Sequence, residues 1–370
     1  MAELKQYNLD EIPYLKVHGR TTEALRPLTL FWTASGIELN VKGSELWVTF
    51  FSDYQSYEPW ISVEINGAYI SRMMVPKGSQ TFCIFRGMSG DKVKNVRIYK
   101  DVQAMSGDDM HLLQVMSVTT DGSFEPLPER ALRLEFIGDS ITSGEGSIGA
   151  EAEEDWISMF FGSVRHYARE TARALDADYR VISQSGWGTY SGWDNNINCA
   201  LPKYYEKVCG LAFGDRNTAL GAQEDYDFTR WQPDVVVINL GTNDSGAFYS
   251  PEWTDPKTGI TYKQRLLEDG SFCPEDAEHT MEAVVETLEK LRRLNPKAKL
   301  VWVYGMLGNP LTPWLEQALE RYRIKSGDTQ VSFVELPDTT PETVGSRCHP
   351  GRKSHEAAAK VLTEALKKLL

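Results

Sequence analysis

Three short fragments carry side chains that together suit acyl transfer: Gly138-Asp139-Ser140, Thr242-Asn243-Asp244 and Cys348-His349-Pro350. Ser140 offers a hydroxyl, a poor nucleophile until a base takes its proton. His349 offers an imidazole, which can take and return a proton near neutral pH. Asn243 offers an amide N–H to an oxygen that gains charge in the transition state. Gly188, in Ser185-Gly186-Trp187-Gly188-Thr189, is a place where a backbone N–H can approach the same oxygen with no side chain in the way. Each signal also has a plainer reading: a turn at Ser140, a helix cap at Asn243, a glycine turn at Gly188. The other histidines (His18, His111, His166, His279 and His355) lack comparable company, and His166 and His279 fall inside helix-like stretches.

A change of pattern along the chain supplies the elements that must position these groups. Residues 36–42 and 44–50 alternate apolar and polar, and 60–65 runs into Asn66-Gly67, a strong hairpin signal. Further short runs follow at 81–85, 93–99 and 112–118. This spacing predicts an antiparallel β-sandwich. Past residues 126–129 the rhythm becomes strand and helix in alternation. Apolar runs at 132–137, 179–183, 235–240, 300–304 and 331–336 are interleaved with helix-like stretches at 159–175, 274–294, 313–324 and 351–370. That pattern predicts an α/β domain with a parallel sheet, whose functional groups gather at the carboxyl ends of the strands. The three fragments lie just past such ends or just before a helix. The expected domains are 1–128 and 129–370. Two polar, aromatic-rich stretches, 199–231 and 249–273, break the rhythm and read as binding loops or as surface insertions.

Composition narrows the partners. The chain has 370 residues, 41% hydrophobic and 25% charged, with a formal net charge of −13. That balance argues against nucleic acid and favours a neutral substrate. No apolar run reaches membrane-spanning length. The start, Met1-Ala2-Glu3-Leu4-Lys5, lacks the basic and apolar stretches of a signal peptide. A cytoplasmic protein is expected on that reading, or a secreted one if a leader has been trimmed. Cys83, Cys199, Cys209, Cys273 and Cys348 form no CxxC pair, which argues against a disulfide framework or a zinc site. A Cys199–Cys209 bridge is the less favoured alternative. Neither metal nor cofactor is expected. Gly144-Glu145-Gly146-Ser147-Ile148-Gly149 spells GxGxxG but starts well past the end of 132–137. The acid that such a motif needs, about 20 residues on, would fall in a helical stretch. The segment reads as a flexible loop after Ser140.

The order of Ser140, Gly188, Asn243 and His349 beyond successive strands resembles the SGNH (GDSL-like) hydrolase superfamily over roughly residues 129–370. The resemblance implies a three-layer α/β/α domain with Ser140 as nucleophile and His349 as base. It implies an oxyanion hole formed by the N–H groups of Ser140 and Gly188 with the Asn243 amide. It also implies an aspartate three residues before the histidine, where this chain has Ser346. A Ser140–His349 dyad is therefore expected. A backbone carbonyl or Ser346 would hold the imidazole, with Asp338 a further possibility. A β-sandwich ahead of such a domain, with an incomplete triad, resembles carbohydrate esterase family 2. Members of that family pair a jelly-roll domain with an SGNH domain and remove acetyl groups from plant polysaccharides. Matching fragments are His18-Gly19-Arg20, Phe160-Phe161-Gly162 and Ser185-Gly186-Trp187-Gly188. The resemblance thus implies an acetyl esterase acting on xylan, mannan or glucomannan. Trp187 and Trp314 are candidates for a sugar platform or for core packing, with Tyr190, Trp193 and Trp253 behind them. The alternatives are a lysophospholipase or thioesterase of the same superfamily, and a catalytically silent carbohydrate-binding protein. Oligomeric state is not legible.

Overall fold

Along Glu45–Asp53, Leu46, Val48, Phe50 and Ser52 are buried while the residues between them stay half-exposed, the period-2 pattern of a strand with one face on a core. The computed structural model describes residues 3–370; Met1 and Ala2, where the N-terminal reading begins, lie outside it. One antiparallel sheet runs in the order Lys5–Tyr7, Leu112–Thr120, Glu45–Asp53, Gly78–Arg86, with Leu28–Thr29 also paired to Leu112–Thr120. A second runs Ser123–Glu125, Gly36–Lys42, Val93–Lys100, Trp60–Ile65, Ala68–Met74, with Lys16–His18 on Gly36–Lys42. Leu39, Val48, Phe50, Val63, Ile98 and Val115 from both sheets share one buried core. The Asn66-Gly67 turn has positive φ at both residues (52° and 76°) and joins Trp60–Ile65 to Ala68–Met74 as a tight hairpin.

Contacts divide the chain into two units, and the division is not the contiguous one at 128/129. The first unit runs to Arg130 and also takes in Trp156–Val164 and Glu206–Tyr226. The physical reason is packing. Phe161 is buried with Val102 and Met105, and Trp156 sits edge-on to Tyr57 at 4.8 Å. The Trp32 indole donates to Val208 O at 2.7 Å. Much of the long 199–231 stretch thus belongs to the sandwich unit. The expected helix at 159–175 is correspondingly shorter. Ser163 donates twice to Asp101, and regular helix covers only Tyr167–Ala174. All five cysteines are free thiols, including Cys199 and Cys209.

The second unit holds a five-stranded sheet: β1 (Leu132–Gly138), β2 (Ala177–Ser183), β3 (Val235–Asn239), β4 (Lys299–Gly305) and β5 (Val331–Leu336). Every pairing is parallel, in the order β2-β1-β3-β4-β5. Its helices are α1 (Ser140–Ser143), α2 (Tyr167–Ala174), α3 (Thr242–Ala247), α4 (Pro274–Leu294), α5 (Thr312–Ser326) and α6 (Arg352–Leu369). Helix α2 packs with α6, and α4 with α5. Every residue of β3 is buried, as a strand covered on both faces requires. The chain turns one way after β1 and the other way after β3. The gap between these neighbours is the switch point at which α/β sheets bind ligands. Ser140 and Asn243 lie in the first turns of the helices that follow those two strands. No helix among the described residues is long and apolar enough to cross a membrane.

Candidate active site

Asp139 lies between β1 and α1 and caps the helix. Its carboxylate accepts the Ile141 N–H at 3.0 Å, an N-cap that places Ser140 at the first helical position. The Ser140 hydroxyl lies 2.9 Å from His349 Nε2. His349 Nδ1 lies 2.8 Å from Arg347 O. A carbonyl only accepts, so Nδ1 carries the proton and donates to it. Nε2 is then the lone pair that accepts the Ser140 O–H. Of the groups considered for holding the imidazole, the one in contact is the backbone carbonyl. Ser346 Oγ instead donates to Ile148 O at 3.1 Å. The Asp338 carboxylate accepts the N–H groups of Gly308 and Thr339, each at 2.9 Å. Neither Ser346 nor Asp338 orients the ring.

The carbonyl points at the ring because of an unusual backbone. Arg347 and Cys348 are both left-handed (φ 55° and 53°). The loop is pinned around them: Gly345 N–H donates to His349 O at 2.7 Å and Arg347 N–H to Glu153 O at 2.8 Å. The Arg347 Nε donates to Glu145 Oε1 at 3.0 Å, and that oxygen is also 3.8 Å from His349 Nε2. Glu145 is buried. The first half of the stretch expected to be a flexible loop, Gly144, Glu145 and Gly146, is therefore packed, while Ile148 and Gly149 are exposed. A Cβ on Gly146 would lie 2.5 Å from His349 Cβ and 2.6 Å from Ser346 O, so only glycine fits there.

Asn243 Nδ2 donates to Trp187 O at 3.0 Å and to Asp139 Oδ2 at 3.3 Å. The next residue, Asp244, is buried and collects three backbone N–H groups from the loop after β2: Thr189 at 2.8 Å, Tyr190 at 2.7 Å and Ser191 at 3.3 Å. This ties the loop to the first turn of α3. Gly188 lies against that knot, where a Cβ would come within 2.5 Å of Asp244 Oδ2 and 2.2 Å of Ser191 O. Its N–H donates to Cys199 O at 3.1 Å. Gly188 is thus a spacer rather than an oxyanion donor. The unengaged amide in the same loop is that of Gly186: among the described residues no acceptor takes its N–H. Two glycines stand in Ser-Gly-Trp-Gly, and which one is free depends on the pairing of 188 with 199–201, a long-range fact. Burial pushes Asp139 up to about 7 against the pull of the Ile141 N–H, and the negative charges of Asp244 and Glu145 add to the rise. Burial also raises Asp244, against its three backbone donors.

The aromatic candidates separate. Trp187 is only 7% exposed and packs on Tyr204 with ring centres 5.1 Å apart, so it is a wall and not an open platform. Trp314 is half-buried in the first turn of α5. Tyr190 stacks on His279 and Trp253 leans on Tyr262. Trp193 differs. It is 54% exposed, its N–H donates to Gly186 O at 3.2 Å, and its ring passes 3.3 Å from where a Gly186 Cβ would stand.

Several known proteins are similar to this chain. An acetyl xylan esterase (Est2A) from the rumen bacterium Butyrivibrio proteoclasticus superposes with a TM-score of 0.97 at 44% identity, covering 98% of each chain. A family two carbohydrate esterase from Clostridium thermocellum, solved with cellohexaose, shares the fold: TM-score 0.77, 24% identity, 96% of this chain and 98% of that one. The acetylxylan esterase / glucomannan deacetylase of Cellvibrio japonicus is 27% identical over 97% of this chain and 89% of its own length. Cellulase/esterase CelE of Acetivibrio thermocellus is 27% identical over 92% of this chain, which spans only 37% of that protein. The GDSL-like Lipase/Acylhydrolase profile matches residues 136–357, from inside β1 to the first turns of α6. On that match, which spans more than half of its residues, the chain belongs to the GDSL-like lipase/acylhydrolase family.

Proposed function

We propose that the chain is a serine esterase that removes acetyl groups from carbohydrate, with Ser140 and His349 as its reacting pair. The observation that carries the reading is the 2.9 Å contact of His349 Nε2 with Ser140 Oγ, on a ring whose other nitrogen is fixed by Arg347 O. Ser140 Oγ attacks the acetyl carbonyl as its proton passes to Nε2. The oxyanion takes the N–H groups of Ser140 and Gly186 and one N–H of Asn243, displacing that amide's longer contact to Asp139. Collapse expels the sugar oxygen, which takes the proton from Nε2. Water attacks the acetyl-enzyme with the same histidine as base, and acetate leaves. The names of the relatives support acetylated xylan or glucomannan as the substrate class. The exposed face of Trp193 beside Gly186 suits the apolar face of a sugar ring.

Time-resolved NMR of acetylated xylo- and manno-oligosaccharides tests this, together with 4-nitrophenyl esters of rising acyl length. Acetate release is expected, with rates falling beyond acetyl. Ser140→Ala and His349→Ala each lower kcat by roughly 10⁵-fold. A preference for long acyl chains would redirect the reading to lipids or thioesters. A Ser140→Ala variant that keeps most of its activity overturns it.

A further inference from the structure

The imidazole of His349 meets a neutral carbonyl at Nδ1, where the family's usual arrangement has a charge. A carboxylate stands on the other side of the ring. Glu145 Oε1 is 3.8 Å from Nε2 and 3.0 Å from Arg347 Nε. Its side chain is 3% exposed, against 32% for Arg347. Exposed ion pairs contribute little, whereas a buried carboxylate is tolerated only when it is paired. Arg347 also donates its Nη1 to Glu154 O at 2.8 Å and its own N–H to Glu153 O at 2.8 Å. One residue is thus anchored three times to the segment 145–154, and its carbonyl is the one that fixes the ring. Two consecutive left-handed residues that are not glycine cost of order 1–3 kcal/mol each, so a hold of this kind is needed to keep them there.

We propose that Glu145 is a positioning residue for His349: it holds the Arg347 backbone by its ion pair and sets its negative charge against the imidazolium formed in the reaction. The proposal rests on Ser140 and His349 being the reacting pair. The charged and titratable groups facing the ring are Glu145 and Arg347 from the two loops that pack on it, Asp139 beside Ser140, and His355 of α6. Burial leaves His355 neutral, its pKa lowered to about 3, with His166 and His349 adding to that shift.

Glu145→Gln and Arg347→Gly, compared in the full chain, test the idea. Glutamine keeps the shape and an acceptor for Arg347. Glycine keeps the left-handed backbone without strain. Removing the negative charge makes the imidazolium easier to deprotonate. In Glu145→Gln the acid limb of kcat/KM therefore moves down by about 0.5–1 pH unit, and kcat falls about tenfold with KM little changed. In Arg347→Gly the positive charge is gone and the limb moves up. NMR titration of the His349 ring reads the same opposite shifts without turnover. That measurement stands even if no ester is hydrolysed, which would sink the functional reading alone. A ring pKa that moves in neither variant, or a rate loss with both limbs unmoved, overturns the proposal in favour of a purely structural ion pair.

Discussion

In the proposed reaction the proton passes from Ser140 Oγ to His349 Nε2, and the group in contact with the other ring nitrogen is a backbone oxygen that no side-chain substitution deletes. Ser346→Ala and Asp338→Ala should therefore leave kcat within about twofold of the parent, measured on 4-nitrophenyl acetate. Ser346→Ala should show a stability loss of about 1 kcal/mol from the bond to Ile148 O. A large fall in kcat for Asp338→Ala in a folded protein would restore a third member. Trp193→Ala should act on binding. Losing the apolar contact of half an indole is worth about 1–2 kcal/mol, so KM for an acetylated oligosaccharide rises roughly 5–30-fold while kcat holds. An unchanged KM would remove Trp193 from the substrate site. Ser140, Asn243 and His349 were legible because each stands at a strand end or before a helix within its own short motif. Glu145, Arg347 and Gly186 were not. The roles proposed for them rest on contacts across 202 residues (Glu145 to Arg347) or on a loop whose pairing leaves one glycine N–H free and engages the other.

Helix α2 shows how an element carries a titration. His166 was read as lying inside a helix, yet it caps one: its Nδ1 accepts the Arg169 N–H at 3.1 Å. From α6, His355 Nδ1 accepts the Tyr167 N–H at 3.2 Å and its ring stacks on Tyr167 at an interplanar angle of 2°. Both rings accept, both are buried, and burial lowers each pKa to about 3. The unfolded chain takes these protons near 6.5, the folded chain only near 3. Between those values the unfolded state binds more protons, so stability falls as pH drops from about 6.5 and levels off below about 3. Each ring adds about 1.4 kcal/mol per pH unit to that slope. His166→Asn keeps a good N-cap and cannot titrate. Thermal melts should show the variant close to the parent at pH 7.5 and more stable at pH 5. Parallel curves would mean that His166 is protonated in the fold.

The architecture of sandwich followed by parallel sheet was readable from two periodicities, because each strand pattern is local. Membership of the segments was not, because Trp156–Val164 and Glu206–Tyr226 lie in the α/β half of the sequence yet pack with the sandwich unit. The consequence is a prediction about cutting. A chain beginning at residue 129 keeps those segments but strips them of their partners. Phe161, Val208 and Leu211, exposed at 1%, 3% and 0%, would face water, as would the half-buried Trp156. Each such side chain is worth about 1.5–3 kcal/mol of burial, and a domain's whole margin is about 5–15 kcal/mol. The fragment 129–370 should therefore bind an apolar dye, melt without a cooperative transition and lack esterase activity, although Ser140, Asn243 and His349 are all present in it. The fragment 1–128 meets the reverse problem, with Val102, Met105 and the Trp32 indole uncovered. Cooperative unfolding of 129–370 alone, with native-like dye exclusion, would show that the two inserted segments are dispensable and that the sequence boundary at 128/129 is also a folding boundary.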